Sequence, residues 1–159
     1  TVCRQMRQCG VDATVAQGYG TSCVSCKLPP AMTSNEWMTM SGSQGFLTTH
    51  VLDTANGAPA AGVIVELYSL SGANRSLLVE TCTNDDGRTD APLLKAGAMP
   101  AGVYELVFRI GDYFKASGTK GAGEFVDVVP IRFVISDLQS HYHVPLLASP
   151  FSYSTYRGS

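Results

Sequence analysis

From Phe46 to the C-terminus the chain is a succession of short segments in which apolar and polar residues alternate, each closed by turn chemistry. Side chains alternate across a strand, so a period of two in residues rich in Val, Ile, Thr, Tyr and Phe predicts half-buried strands. Phe46–Asp53 (FLTTHVLD) opens the series and ends at Asn56-Gly57 and Pro59. Val63–Leu70 and Ser76–Thr83 follow, separated by Ser71-Gly72-Ala73-Asn74. Asn84-Asp85-Asp86-Gly87 is a strong turn signal that leaves Arg88 at its mouth. Gly102–Ile110 puts Tyr104, Leu106, Phe108 and Ile110 on one face and Glu105 and Arg109 on the other. Phe125–Ile135 is a long apolar run broken by Pro130, which cannot donate to a ladder, and reads as an edge entry and then a strand. His141–Leu147 comes next, with a turn at Ser149 and Pro150. The tail after it holds Phe151, Tyr153 and Tyr156 and no charge run, which predicts a docked final strand. Asp112–Ser117 is the one segment that reads as helix, opened by an Asp112 cap and closed by Gly118. About eight short strands and one short helix predict an all-β, antiparallel sandwich.

A chain of 159 residues with 45% hydrophobic content suffices for one core. The net charge of −2 supplies no basic field, so neither nucleic acid nor an anionic membrane is an expected partner. No apolar run approaches the ~20 residues of a membrane span. The N-terminus lacks the basic start and apolar stretch of a secretory signal. The expectation is a soluble, cytoplasmic protein, or a periplasmic one where a signal has been removed.

Residues 1–44 differ from the rest. They are rich in Gly, Ser, Thr, Gln and Cys and show no sustained period, which predicts a disordered or leader-like extension ahead of a folded domain at 45–159. Trp37 reads as exposed or loosely packed, and Met38 or Met40 is a plausible alternative start. Cys23-Val24-Ser25-Cys26 is a C-x-x-C pair, but Cys3 and Cys9 do not form the second close pair of a zinc ribbon. Unpaired thiols are expected there rather than a metal site. Cys82, inside a strand-like run, is expected to be a buried small apolar residue.

The end of the chain, HYHVPLLASPFSYSTYRGS, concentrates chemistry. Alternation places His141 and His143 on one face and Tyr142 and Val144 on the other. Ser152, Ser154 and Tyr156 form a polar row that a paired final strand brings close to the histidines. Taken alone, His50 reads as a hydrogen-bonded or solvated strand histidine, and Arg88 as a surface charge flanking a turn.

Four blocks in order alter that balance. GFLTTHVLD at 45–53, DGRTD at 86–90, HYHVPLL at 141–147 and the terminal YRGS at 156–159 together resemble the transthyretin-like 5-hydroxyisourate hydrolases. The resemblance covers residues 45–159 and does not reach the first 44. It implies two four-stranded antiparallel sheets, and a homotetramer built as a dimer of dimers with sites in the channel between dimers. It implies urate catabolism, in which urate oxidase supplies 5-hydroxyisourate and this enzyme hydrolyses it to 2-oxo-4-hydroxy-4-carboxy-5-ureidoimidazoline, with no metal or organic cofactor. By position, it implies catalytic roles for His50, Arg88, His143 and Ser159, and substrate binding by His50, Arg88 and Tyr156. It leaves His141 as a supporting residue, Tyr142 packed away from the site and Arg157 in a tail ion pair.

The chemistry is consistent with those types. Ring opening needs water activated near neutral pH, the task imidazole suits, and a fixed guanidinium beside the developing oxyanion lowers the barrier. A nucleophilic serine calls for a sharp elbow, and no G-x-S-x-G occurs, so water attack is preferred. The alternative is a carrier like transthyretin itself, binding an aromatic small molecule in the same channel. His50, Arg88, His143 and Tyr156 separate the two readings.

Overall fold

The computed structural model describes residues 45–158. The predicted extension, with Cys3, Cys9, Cys23, Cys26 and Trp37, and the terminal Ser159 lie outside the described residues.

The opening segment forms two short strands, β1 (Leu47–Thr48) and β2 (Val51–Asp53). Then come β3 (Ala58–Pro59), β4 (Ile64–Ser71), β5 (Asn74–Cys82), β6 (Gly102–Phe108), α1 (Ile110–Ser117) and β7 (Val129–Ile135). The chain ends with β8 (Tyr142–His143), β9 (Leu146–Ser149) and β10 (Ser152–Thr155). Two four-stranded sheets result, in the orders β10-β9-β2-β3 and β5-β4-β6-β7, with β1 and β8 as a separate parallel pair.

The sandwich follows from the alternation. Val51, Leu146 and Ala148 of one sheet and Val65, Leu67, Leu106, Phe108, Ile131 and Ile135 of the other join one apolar cluster. Ile110 and Phe114 of α1 are fully buried in it. Each such large side chain contributes about 1.5–3 kcal/mol by leaving water.

Several details differ from expectation, each for a physical reason. The second sheet is wholly antiparallel, whereas β2 and β9 of the first run parallel. The chain returns from the opposite sheet in the direction it left, so a hairpin cannot join them. The helix starts two residues before Asp112, at an Arg109 N-cap with no side-chain cap bond, so Asp112 sits in its first turn. There its carboxylate still complements the helix dipole. Gly118 closes the helix with φ +68, as the αL C-cap requires. Of the segment predicted at 125–135, only Val129–Ile135 pairs, and it forms a sheet edge that tolerates Pro130. Cys82 is half-buried at the end of β5 and does not belong to the core.

Candidate active site

The opening segment presents Phe46, Thr48 and His50 on one face while Leu47, Thr49 and Val51 are buried on the other. β8 lies parallel beside it, with Leu47 opposite Tyr142 and Thr48 opposite His143. That register puts His141 face to face with Phe46, ring centroids 4.0 Å apart, and His143 next to Thr48. The Thr48 hydroxyl lies 2.8 Å from His141 Nε2 and 2.9 Å from His143 Nδ1. Tyr142 turns the other way into the core, where its hydroxyl oxygen accepts the N–H groups of Ser136 and Asp137.

The turn after β5 supplies the guanidinium. Asn84 Oδ1 accepts the N–H groups of Asp86 and Arg88, and the Asn84 N–H donates to the Arg88 carbonyl at 2.7 Å. Gly87 between them has φ +71. A Cβ there would collide with the Val51 carbonyl oxygen and come within 3.2 Å of the His50 ring. Glycine is therefore needed both for the dihedral and for the close approach that pairs Arg88 with His50 in a β-bridge.

The tail closes a third side. β10 pairs antiparallel with β9, Thr155 opposite Leu146, and the same register sets Gly158 opposite His143. The Gly158 N–H donates to the His143 carbonyl at 2.8 Å, and a Cβ on Gly158 would lie 2.9 Å from His143 Cδ2. Ser159, one residue further, is outside the described residues.

Burial first, then the nearby Arg88 charge, pushes His50 below the ordinary imidazole value of 6.5, partly offset by a backbone hydrogen bond and the charge of Asp86. Burial also lowers His143, followed by the charges of Arg88, His141 and His50. His143 thus lies within reach of Arg88 and of the chain's other two histidines. The Nε2 of His50 is buried and hydrogen-bonds nothing within the described chain. Buried polar atoms are nearly always paired, so this nitrogen singles His50 out among the ring nitrogens of the cluster. Among the described residues, no group of three His, Cys, Asp or Glu side chains is arranged to hold a metal ion. Neutral imidazoles beside a fixed cation can accept a proton from water and stabilise an oxyanion.

His50, Arg88, His141 and His143 are therefore brought together as a cluster. Tyr156 is set apart: it is 58% exposed and two residues away from the one that meets the ring. The row of Ser152, Ser154 and Tyr156 shares the His143 face by register, but Ser152 bonds to Ser149, and Gly158 alone of that face makes a bridge to His143. The Arg157 guanidinium lies over the Tyr142 ring, 4.4 Å from its centroid. Phe46, Thr48 and Gly158 are the residues that sequence reasoning missed. Counting back by two from His50 reaches both Thr48 and Phe46, which is the signal that could have found them.

The sequence profile of the HIUase/transthyretin family matches residues 47–158, which takes in every strand and the helix. The chain belongs to the HIUase/transthyretin family. A family member from Deinococcus radiodurans named 5-hydroxyisourate hydrolase is 55% identical over 120 residues, covering 76% of this chain and 100% of that one. The solved 5-hydroxyisourate hydrolase of Klebsiella pneumoniae is 37% identical, with a TM-score of 0.61 over 72% of this chain and 99% of that one. Sea bream transthyretin, solved with thyroxine, is 27% identical with a TM-score of 0.64, covering 70% of this chain and 93% of that one. By identity, this member of the family stands nearer the hydrolases than the carrier.

Proposed function

We propose that the protein hydrolyses 5-hydroxyisourate by water attack assisted by imidazole and guanidinium. The observation that carries this reading is the meeting of His50, His143 and Arg88, with both imidazoles held neutral by burial and by the arginine. The 55% identity to a relative of that name supports the choice of substrate. One imidazole takes a proton from water as the oxygen attacks the ring carbonyl. Arg88 stabilises the oxyanion with paired N–H donors, and the carbon–nitrogen bond then breaks. The departing nitrogen recovers the proton from the imidazolium, so the base is restored. A catalytic role for Ser159, next in the chain after the Gly158 that bridges to His143, belongs to the same reading. Tyr156 walls the pocket once copies assemble.

The assembly in this reading is a homotetramer, a dimer of dimers. It is supported by the apolar side chains left exposed along the outer strands: Val134 on β7, and Phe151, Tyr153 and Tyr156 in and beside β10. Apolar groups of this size exposed at edge strands are where copies of the chain would meet in this reading.

The test is to mix freshly made 5-hydroxyisourate with the protein and follow its ultraviolet decay, with chelator present. Decay above the spontaneous rate is expected, and a rate equal to the blank would remove the hydrolase reading. Tyr156→Thr separates enzyme from carrier. It should lower kcat/KM and admit a larger biaryl phenol, while unchanged turnover and unchanged phenol binding would take Tyr156 out of the pocket wall.

A further inference from the structure

The Thr48 hydroxyl is shared between two imidazoles and has one proton to give. With His141 Nε2 at 2.8 Å and His143 Nδ1 at 2.9 Å, when it donates to one nitrogen it accepts the N–H of the other. If His143 Nδ1–H donates to Thr48, then Thr48 donates to His141 Nε2, and the proton of His141 sits on Nδ1. If His141 Nε2–H donates, both rings carry their protons on Nε2. In either case the two rings hold matched tautomers. We infer that Thr48 is a positioning residue for the base: its single proton locks His141 and His143 in matched Nδ1–H tautomers and leaves His143 Nε2 bare toward the substrate. The choice of the Nδ1–H pair rests on the hydrolase reading, because a general base must present an unprotonated nitrogen.

The surroundings favour a held ring over a free one. His141 is clamped against Phe46, the rings stacked 23° from parallel, so it cannot rotate away from the hydroxyl without losing that contact. Gly158 packs on the edge of His143 and accepts the His143 backbone N–H, which limits that ring from the other side. The charged and titratable groups facing His143 from the turn and the opening strand are Arg88 and His50, and neither shares the Thr48 hydroxyl. A hydrogen bond on one imidazole nitrogen sets which nitrogen is free for chemistry, and here the hydroxyl imposes that choice on both rings.

Nitrogen-15 spectra of the imidazoles read the tautomers without substrate, and three histidines make them simple to assign. Above the imidazole titration range, His141 and His143 should both show a protonated Nδ1 and a bare Nε2 in the unaltered protein. Thr48→Val keeps the shape and the β-branched preference of the strand while removing the proton. It should unlock the pair, with at least one ring changing or mixing tautomers, and lower kcat about 10²-fold with little change in KM. Thr48→Ser restores the hydroxyl and should return both the spectra and most of the rate. Unlike tautomers in the unaltered protein, with both rings donating to the oxygen, would overturn the inference. So would a Thr48→Val protein whose spectra and kcat match the original. A chain that fails to hydrolyse 5-hydroxyisourate yet shows the paired tautomers would instead overturn the function proposed for the site.

Discussion

His50 and His143 are where sequence and site agree most closely, and their protonation makes specific demands. Both are held below 6.5 by burial, with Arg88 as the next cause. A base must be neutral, so kcat/KM should persist as pH falls through 6.5 and drop only below the lowered values. An acid limb at or above 6.5 would exclude both imidazoles as the base. Stability carries the same sign. Between the lowered folded values and 6.5 the unfolded chain binds more protons than the folded one, so stability is full above 6.5 and declines as pH falls through that window. The urea midpoint measured above 6.5 and about one unit below it should therefore decrease, and His143→Ala should shrink the decrease. Replacing either histidine by Ala should cost about 10² to 10⁴ in kcat, and near-full turnover by a variant removes that residue from proton transfer. Both histidines and Arg88 were legible through their motifs. Thr48 was not, because a threonine inside a strand is the ordinary β-former, and its hydroxyl gains a role only through partners more than 90 residues away.

At the scale of elements, the turn at 84–88 illustrates how a local signal acquires a distant function. Asn-Asp-Asp-Gly marks a turn by its side-chain acceptors and its left-handed glycine, and the structure uses both to hold Arg88 against the opening strand. Two glycines separate the conformational role from the packing role. Gly57 has φ +67 and nothing within 4 Å of an added Cβ, whereas Gly87 has φ +71 and would meet backbone and the His50 ring. Gly57→Ala should lose about 1 kcal/mol in chemical denaturation and keep full activity. Gly87→Ala should lose more and also lower kcat/KM at temperatures where it remains folded, because Arg88 and His50 must separate. Equal kinetics in the two variants would mean the turn does not position the guanidinium. The helix shows the limit of local reading. Asp112 looked like a cap, yet Ile110 and Phe114 are pulled into the core and set the start two residues earlier.

For the molecule as a whole, the apolar cluster draws on residues from Leu47 to Ala148 and closes between the two sheets. A chain beginning at Met40 retains all of it, so it should fold, sediment as the same species as the full chain, and turn over substrate at the same rate. A smaller species or an inactive one would assign the first residues to the assembly. Sedimentation of the full chain tests the tetramer in the same run.

What the sequence determined by itself is what depends on neighbours along the chain. The strand periods, the turns, the edge position of Pro130, the opposed faces of Tyr142 and His143, and the motifs holding His50 and Arg88 all belong to that class. Period-two alternation and turn chemistry act over a few residues, so they survive without knowledge of the fold. Only the tertiary structure decided the parallel pairing of β1 with β8, which seats Thr48 between His141 and His143. It alone decided that Gly158, and not Tyr156, meets His143, because strand register is set by long-range pairing and core burial. The lowered basicity of the two imidazoles has the same origin: desolvation and the approach of Arg88 exist once distant segments have closed over one another.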